Sequence, residues 1–183
     1  TGDEQPLAER RYIPFTGATD GGTADVNDNV SSTVDERRQP TFRNTDPIGQ
    51  AMTVTYTVDV RPAYYQIMSG DALNDIQGDI NITDASEIFT RGISMNGPAT
   101  GDWVTWGATL DGTAANKMHD DGTNGDAVAG DSVYTVQFAY EATQTIGQEF
   151  KFGIGGGDNE SGYGLNHIEN IDVTSGTVAS YWG

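Results

Sequence analysis

The stretch KMHDDGTNGDAVAGDSVYTVQFAY, residues 117–140, sets Asp120, Asp121, Asn124, Asp126 and Asp131 among Gly122, Gly125 and Gly130. Oxygen donors at this density suit a hard cation. Ca2+ takes about six to eight oxygen ligands, and glycines let backbone carbonyls turn toward an ion, so these five side chains form a candidate Ca2+ set. Their spacing is not that of an EF-hand. The same residue types also build a compound turn, in which Asp and Asn hydrogen-bond the local backbone and Gly takes positive φ. Both readings stand on the residues alone.

Other chemistry is sparse. His119 and His167 are the two histidines of the chain, and neither has a nucleophile or a zinc-type spacing nearby. Carboxylate pairs such as Glu160 and Glu169 have the composition of a glycosidase pair, but an acidic chain forms many such pairs by chance. No catalytic constellation emerges, and the chain is expected to be non-catalytic. Flat stacking on sugars needs exposed aromatics. The candidates are Tyr64, Tyr65, Trp103, Trp106, Tyr163 and Trp182, with Tyr65 and Trp103 foremost as glycan-binding residues. Trp103 and Trp106 lie three apart, so on one regular strand they would face opposite ways. Three Asn-x-Ser/Thr sequons, at Asn29, Asn81 and Asn159, are formal glycosylation acceptors.

The elements that must position these groups follow from periodicity. TVTYTVDV, residues 53–60, puts Val54, Tyr56, Val58 and Val60 on one face and polar residues on the other, the pattern of a half-buried strand. SVYTVQFAY, WVTWGATL and EFKFGI alternate in the same way, and DINIT, EIFTRGISM, HIENIDV and TVASYW are weaker strand candidates. Short strands separated by Gly, Asp and Asn turns predict an all-β fold, an antiparallel β-sandwich. The acidic loop then becomes the entry to the SVYTVQFAY strand.

Residues 1–50 read differently from residues 51–183. The first segment is polar and punctuated, and alone it buries too little apolar surface to fold. It carries Arg10, Arg11, Arg37, Arg38 and Arg43, whereas the β-sandwich domain predicted for residues 51–183 has Arg61, Arg91, Lys117 and Lys151 against most of the carboxylates. A net charge of −18 over 183 residues argues against a nucleic-acid partner, which requires clustered Lys and Arg. The absence of cysteine excludes disulfides and thiolate metal sites. No apolar run reaches the roughly 18 residues of a membrane span. A sequence that starts at Thr1 without an initiator Met fits a mature exported chain, so a secreted or cell-surface location is expected.

MHDDGTNGDAVAGDSVYTV, followed by GQEFKFGIGGGDNESGYGLNHIENIDV, resembles the starch-binding-like, carbohydrate-module-type β-sandwiches of secreted bacterial surface proteins, chiefly of the Bacteroidota type. In that family an M-x-D-D-G-T-x-G-D-x-x-x-G-D loop precedes a strand ending in Tyr-Thr, and a strand of Tyr/Phe-Lys-Phe form follows. The resemblance spans about residues 52–183. It implies a non-catalytic extracellular module for glycan binding or surface display.

For the polar arm, β-augmentation is the expected use: an extended segment adds a strand to a neighbour's sheet edge. RRYIPFT offers Tyr12, Ile13 and Phe15 as assembly residues, with Ile13 and Phe15 on one face and Pro14 at an outward position. A head-to-tail contact of this kind repeats into a filament. The expected function is thus a homopolymeric extracellular filament subunit, and the alternative is a module binding a starch-like polysaccharide.

Overall fold

The computed structural model describes residues 43–183. The assembly candidates Tyr12, Ile13 and Phe15 and the sequon at Asn29 lie outside these residues. Among these residues, six strands form two three-stranded sheets, with short helices between them. Strands β1 (Met52–Asp59), β3 (Val133–Tyr140) and β6 (Thr177–Tyr181) form one sheet in the order β3-β1-β6. Strands β2 (Ile93–Asn96), β4 (Gly147–Ile154) and β5 (His167–Asn170) form the other in the order β2-β4-β5.

The period-two segments become strands where both faces find a use. Val54, Tyr56 and Val58 of β1 are fully buried, and the ring of Tyr56 meets Phe150 of β4 at 5.3 Å. One core therefore joins the two sheets, with Ile93, Met95, Phe152 and Ile154 from the second sheet. Tyr56 and Tyr140 join their hydroxyls at 2.7 Å, and Tyr140 donates to the Ala99 carbonyl at 2.5 Å. Burial pushes the Tyr140 phenol up to about 12, so it remains a donor at all ordinary pH values.

Three expectations are corrected. The first concerns strand direction: β1 pairs antiparallel with β3 but parallel with β6, Thr55 facing Thr177 and Asp59 facing Tyr181. The other two sheet pairings are antiparallel. The second concerns two strand candidates. EIFTRGISM divides into helix α2 (Ser86–Arg91) and β2, because Asp84 accepts the Ser86 N–H and hydroxyl at 2.8 Å and Gly92 reverses the chain at φ 74°. The Glu87–Arg91 pair, at 2.6 Å and one turn apart, also favours the helix. WVTWGATL is an irregular segment that runs into the single-turn helix α3 (Ala108–Asp111). The third concerns the boundary at residue 51. Ile48 is buried and its N–H donates to Gln144, while Gly147 donates to the Asn44 carbonyl, so the packed body includes residues 44–50.

A further helix, α1 (Arg61–Met68), leaves β1 with Pro62 in its first turn, where a missing N–H costs nothing. No helix among the described residues is long and apolar enough to cross a membrane.

Candidate functional site

A cleft of about 480 Å³ opens between the Trp103–Trp106 segment and the loop joining β4 to β5. Trp103, Trp106 and Tyr163 supply its aromatic surface, and Gln77, Lys151, Asp158 and Asn166 supply polar groups. Trp103 is 39 % exposed and Tyr163 81 % exposed, so both rings present faces to solvent. The Trp103 and Trp106 rings are 6.2 Å apart and inclined at 45°. Both line the same cleft, contrary to the opposite faces expected from strand geometry.

The reason is a side chain acting as a strand. Asn96, at the end of β2 and fully buried, accepts the Val104 N–H at 2.8 Å and donates to the Val104 carbonyl at 2.9 Å. One amide thus satisfies both backbone groups of Val104, the first of the two residues between the tryptophans, and the segment need not join a ladder. Its ends turn through Gly101 and Gly107, which hold φ of 113° and 89°. Gly153 of β4 provides the seat for Trp106. A Cβ there would lie 2.2 Å from the Gly157 carbonyl oxygen and 2.8 Å from Trp106 Cζ3.

The opposite wall, residues 155–166, is fixed from below by buried polar side chains. Asn159 Oδ1 accepts the Ile154 N–H at 2.9 Å, and its Nδ2 donates to the Ile80 and Ile154 carbonyls. Glu160 Oε2 accepts the Phe152 N–H at 2.8 Å, while Oε1 meets His167 Nε2 at 2.8 Å and the Gly183 N–H at 3.2 Å. Lys151 Nζ donates to the Ser161 and Gly162 carbonyls at 2.9 and 3.1 Å. It also forms an ion pair with Asp158, in which Asp158 Oδ1 is placed for charge attraction without a well-angled hydrogen bond. Gln77 Nε2 donates to the other Asp158 oxygen at 2.5 Å. Lys151 and Asp158 are 2 % and 3 % exposed at the side chain, a burial that an ammonium tolerates only when paired.

His167 lies on β5 with its ring stacked on Phe150, 5.2 Å away and 8° from parallel, and edge-on to Phe152. Burial disfavours its charged form, but the carboxylates of Glu160 and Glu169 outweigh that effect and Lys151 opposes them weakly. The imidazole therefore holds its proton to higher pH than an ordinary histidine. Burial also raises Glu169 above the usual carboxylate range, and His167 counteracts it.

Of the two glycan candidates, Trp103 lines this cleft and Tyr65 does not. Tyr65 is 67 % exposed on α1 and packs edge-on against Tyr64 at 5.6 Å. The sequon residue Asn81 is exposed, its Oδ1 accepting the Asp75 N–H at 2.9 Å. Asn159, the residue of another sequon, is 2 % exposed, and its amide nitrogen is buried and engaged in holding the cleft wall. Lys151, Asp158, Gln77 and Asn96 are the site residues that sequence reasoning missed.

The acidic loop enters β3 as expected. Of its five candidate ligands, Asp120, Asp126 and Asp131 come together, one oxygen of each lying within 4.8 Å of the others. Among the aspartates, Asp121 stands outside that group. Asp121 Oδ1 accepts the hydroxyl and N–H of Thr123, which hold its carboxyl below the usual range, and Asn124 donates to Thr123 Oγ1 at 2.9 Å with φ 52°. Asp120 accepts three backbone N–H groups, those of Gly130, Asp131 and Ser132, at 2.8 to 3.1 Å. Asp126 accepts Gly122 and Asp131 accepts Val133. All three carboxylates thus serve the turn, and their oxygens are the donor type that hard cations prefer.

Comparison with protein-family models, with curated proteins and with solved structures finds no match for this chain.

Proposed function

We propose that the described body is a non-catalytic, extracellular β-sandwich module that binds a neutral, starch-like polysaccharide in the cleft. The observation that carries this reading is the grouping of Trp103, Trp106 and Tyr163 around a cleft whose polar groups are fixed in advance. Sugars present apolar C–H faces and a rim of hydroxyls, so they match aromatic surfaces flanked by amides and charged groups. A wall held by buried hydrogen bonds loses little conformational freedom on binding. The test is retention in gels containing soluble starch. The protein is expected to be retarded, Trp103→Ala and Tyr163→Ala to lose retardation while keeping the wild-type melting temperature, and Tyr65→Ala to behave as wild type. Unretarded migration of the folded protein overturns the reading.

A second reading is a homopolymeric surface filament assembled through the arm at Tyr12, Ile13 and Phe15. The observation favouring it is that β6 stands at the edge of its sheet, where an extended segment from another copy could add. Electron microscopy of the full chain beside a version lacking residues 1–42, which leaves the packed body whole, tests it. Filaments that require the arm, and that Ile13→Asp abolishes with the body still folded, support assembly. Dispersed particles in every sample refute it.

A further inference from the structure

Beneath the cleft, His167 is joined to the wall that carries Tyr163 and Asn166. Its Nε2 lies 2.8 Å from Glu160 Oε1, in a pair whose side chains are 14 % and 1 % exposed. Glu160 belongs to the wall itself, and its second oxygen ties that wall to β4 through the Phe152 N–H. On the same wall, Asn166, the residue before His167, donates to Glu149 Oε1 at 2.8 Å and lines the cleft. The imidazole is thus clamped between β4, β5 and the wall, with Phe150 stacked on one face.

We propose that His167 is a positioning residue for the cleft: its imidazolium, paired with Glu160, holds residues 160–166 in place and makes ligand binding weaken as pH rises. The inference rests on the polysaccharide reading of the cleft. The charged groups facing the ring are Glu160 from the wall, Glu169 from β5 itself and Lys151 from β4. Lys151 is neutralised by Asp158, so two carboxylates remain for the ring to balance. A neutral imidazole can still donate from Nε2, but the attraction between full charges is gone and Glu160 is left as a buried anion with less compensation. Because the pair raises the affinity of folded His167 for its proton, its contribution is complete below about pH 6.5, the ordinary histidine range, and is lost as pH rises through the higher folded value. Histidine is the side chain suited to a change in that interval.

The experiment uses the full chain and two readouts. In the ligand-free protein, amide hydrogen exchange of residues 160–166 is followed from pH 5.5 to 9, corrected for intrinsic exchange rates, beside the titration of the His167 ring by NMR. Affinity for soluble starch is measured over the same range. Protection of the wall is expected to fall with the His167 titration, and affinity to fall about three- to tenfold, the scale of a modest change in a charge-assisted hydrogen bond. His167→Gln, which keeps a donor without a titrating charge, should flatten both profiles, and Glu160→Gln should do the same. Wild-type pH dependence retained in His167→Gln overturns the proposal, as does protection that ignores the His167 titration. Should soluble starch bind at no pH while wall protection still follows His167, the polysaccharide reading fails and the coupling of His167 to the wall stands.

Discussion

Replacing Lys151 with Met tests whether the cleft wall rests on a buried charge pair. Met preserves most of the side-chain length and removes the ammonium, leaving Asp158, 3 % exposed at its side chain, without its counter-charge. Breaking a buried ion pair from one side costs about 3–5 kcal/mol. The carbonyls of Ser161 and Gly162 lose their donor as well, which places the expected loss near the top of that range, at about 5 kcal/mol. For a chain of this size that corresponds to a fall in melting temperature of about 10–20 °C. Urea unfolding followed by tryptophan fluorescence measures the loss as a shift in midpoint at constant slope. The double variant Lys151→Met/Asp158→Leu removes both charges and should regain about half of the loss, since the two carbonyls and Gln77 remain short of partners. A single variant that costs less than about 1 kcal/mol, or a double variant no more stable than the single, would refute the reasoning.

Three further outcomes are expected. Asn96→Ala removes both hydrogen bonds to Val104, and should cost about 1–3 kcal/mol and collapse the near-ultraviolet circular dichroism of the Trp103–Trp106 pair; an unchanged spectrum would refute the clamp. Asp120→Ala deprives three backbone N–H groups of their acceptor, with a loss of about 1–3 kcal/mol in urea whether or not chelator is present. Titrating chelator-treated wild type with Ca2+ then decides the second role of the loop: a rise in melting temperature assigns the ion, because a ligand of the folded state alone stabilises it, and an unchanged melt leaves the turn. Global stability in urea should decline from pH 6 to pH 9 in wild type more than in His167→Gln, since a raised folded histidine pKa gives stability that disappears as pH climbs.

The strands of the core were legible because their chemistry is redundant. In β1 and β3, β-branched and aromatic residues recur at every second position, and in β1 burial follows the same rhythm, with Val54, Tyr56 and Val58 fully buried. The acidic loop was placed correctly for the same kind of reason: Asp, Asn and Gly each favour turns by a local mechanism. The cleft was not legible. The Trp103–Trp106 segment alternates like a strand, yet its backbone is satisfied by Asn96, and no local pattern announces a side chain that replaces a ladder. Lys151 sits in EFKFGI where alternation assigns an outward, solvated position, whereas the wall of residues 155–166 covers it and supplies Asp158. The signal available was the acidic, glycine-rich GGGDNES directly after the strand, a segment able to fold back over a lysine. α2 escaped notice because six residues with one buried side chain give too little periodicity to distinguish helix from strand.

The parallel pairing of β6 with β1 also bears on how the molecule must be made. Thr55 meets Thr177 roughly 120 residues later in the chain, so β1 cannot acquire its second neighbour until nearly the entire described body has been synthesised. Until then β1 has β3 on one side and an unsatisfied row of amides and carbonyls on the other, the state in which an extended segment from elsewhere could occupy the place of β6. Appearance of residues 177–181 therefore marks the earliest moment at which this sheet can close.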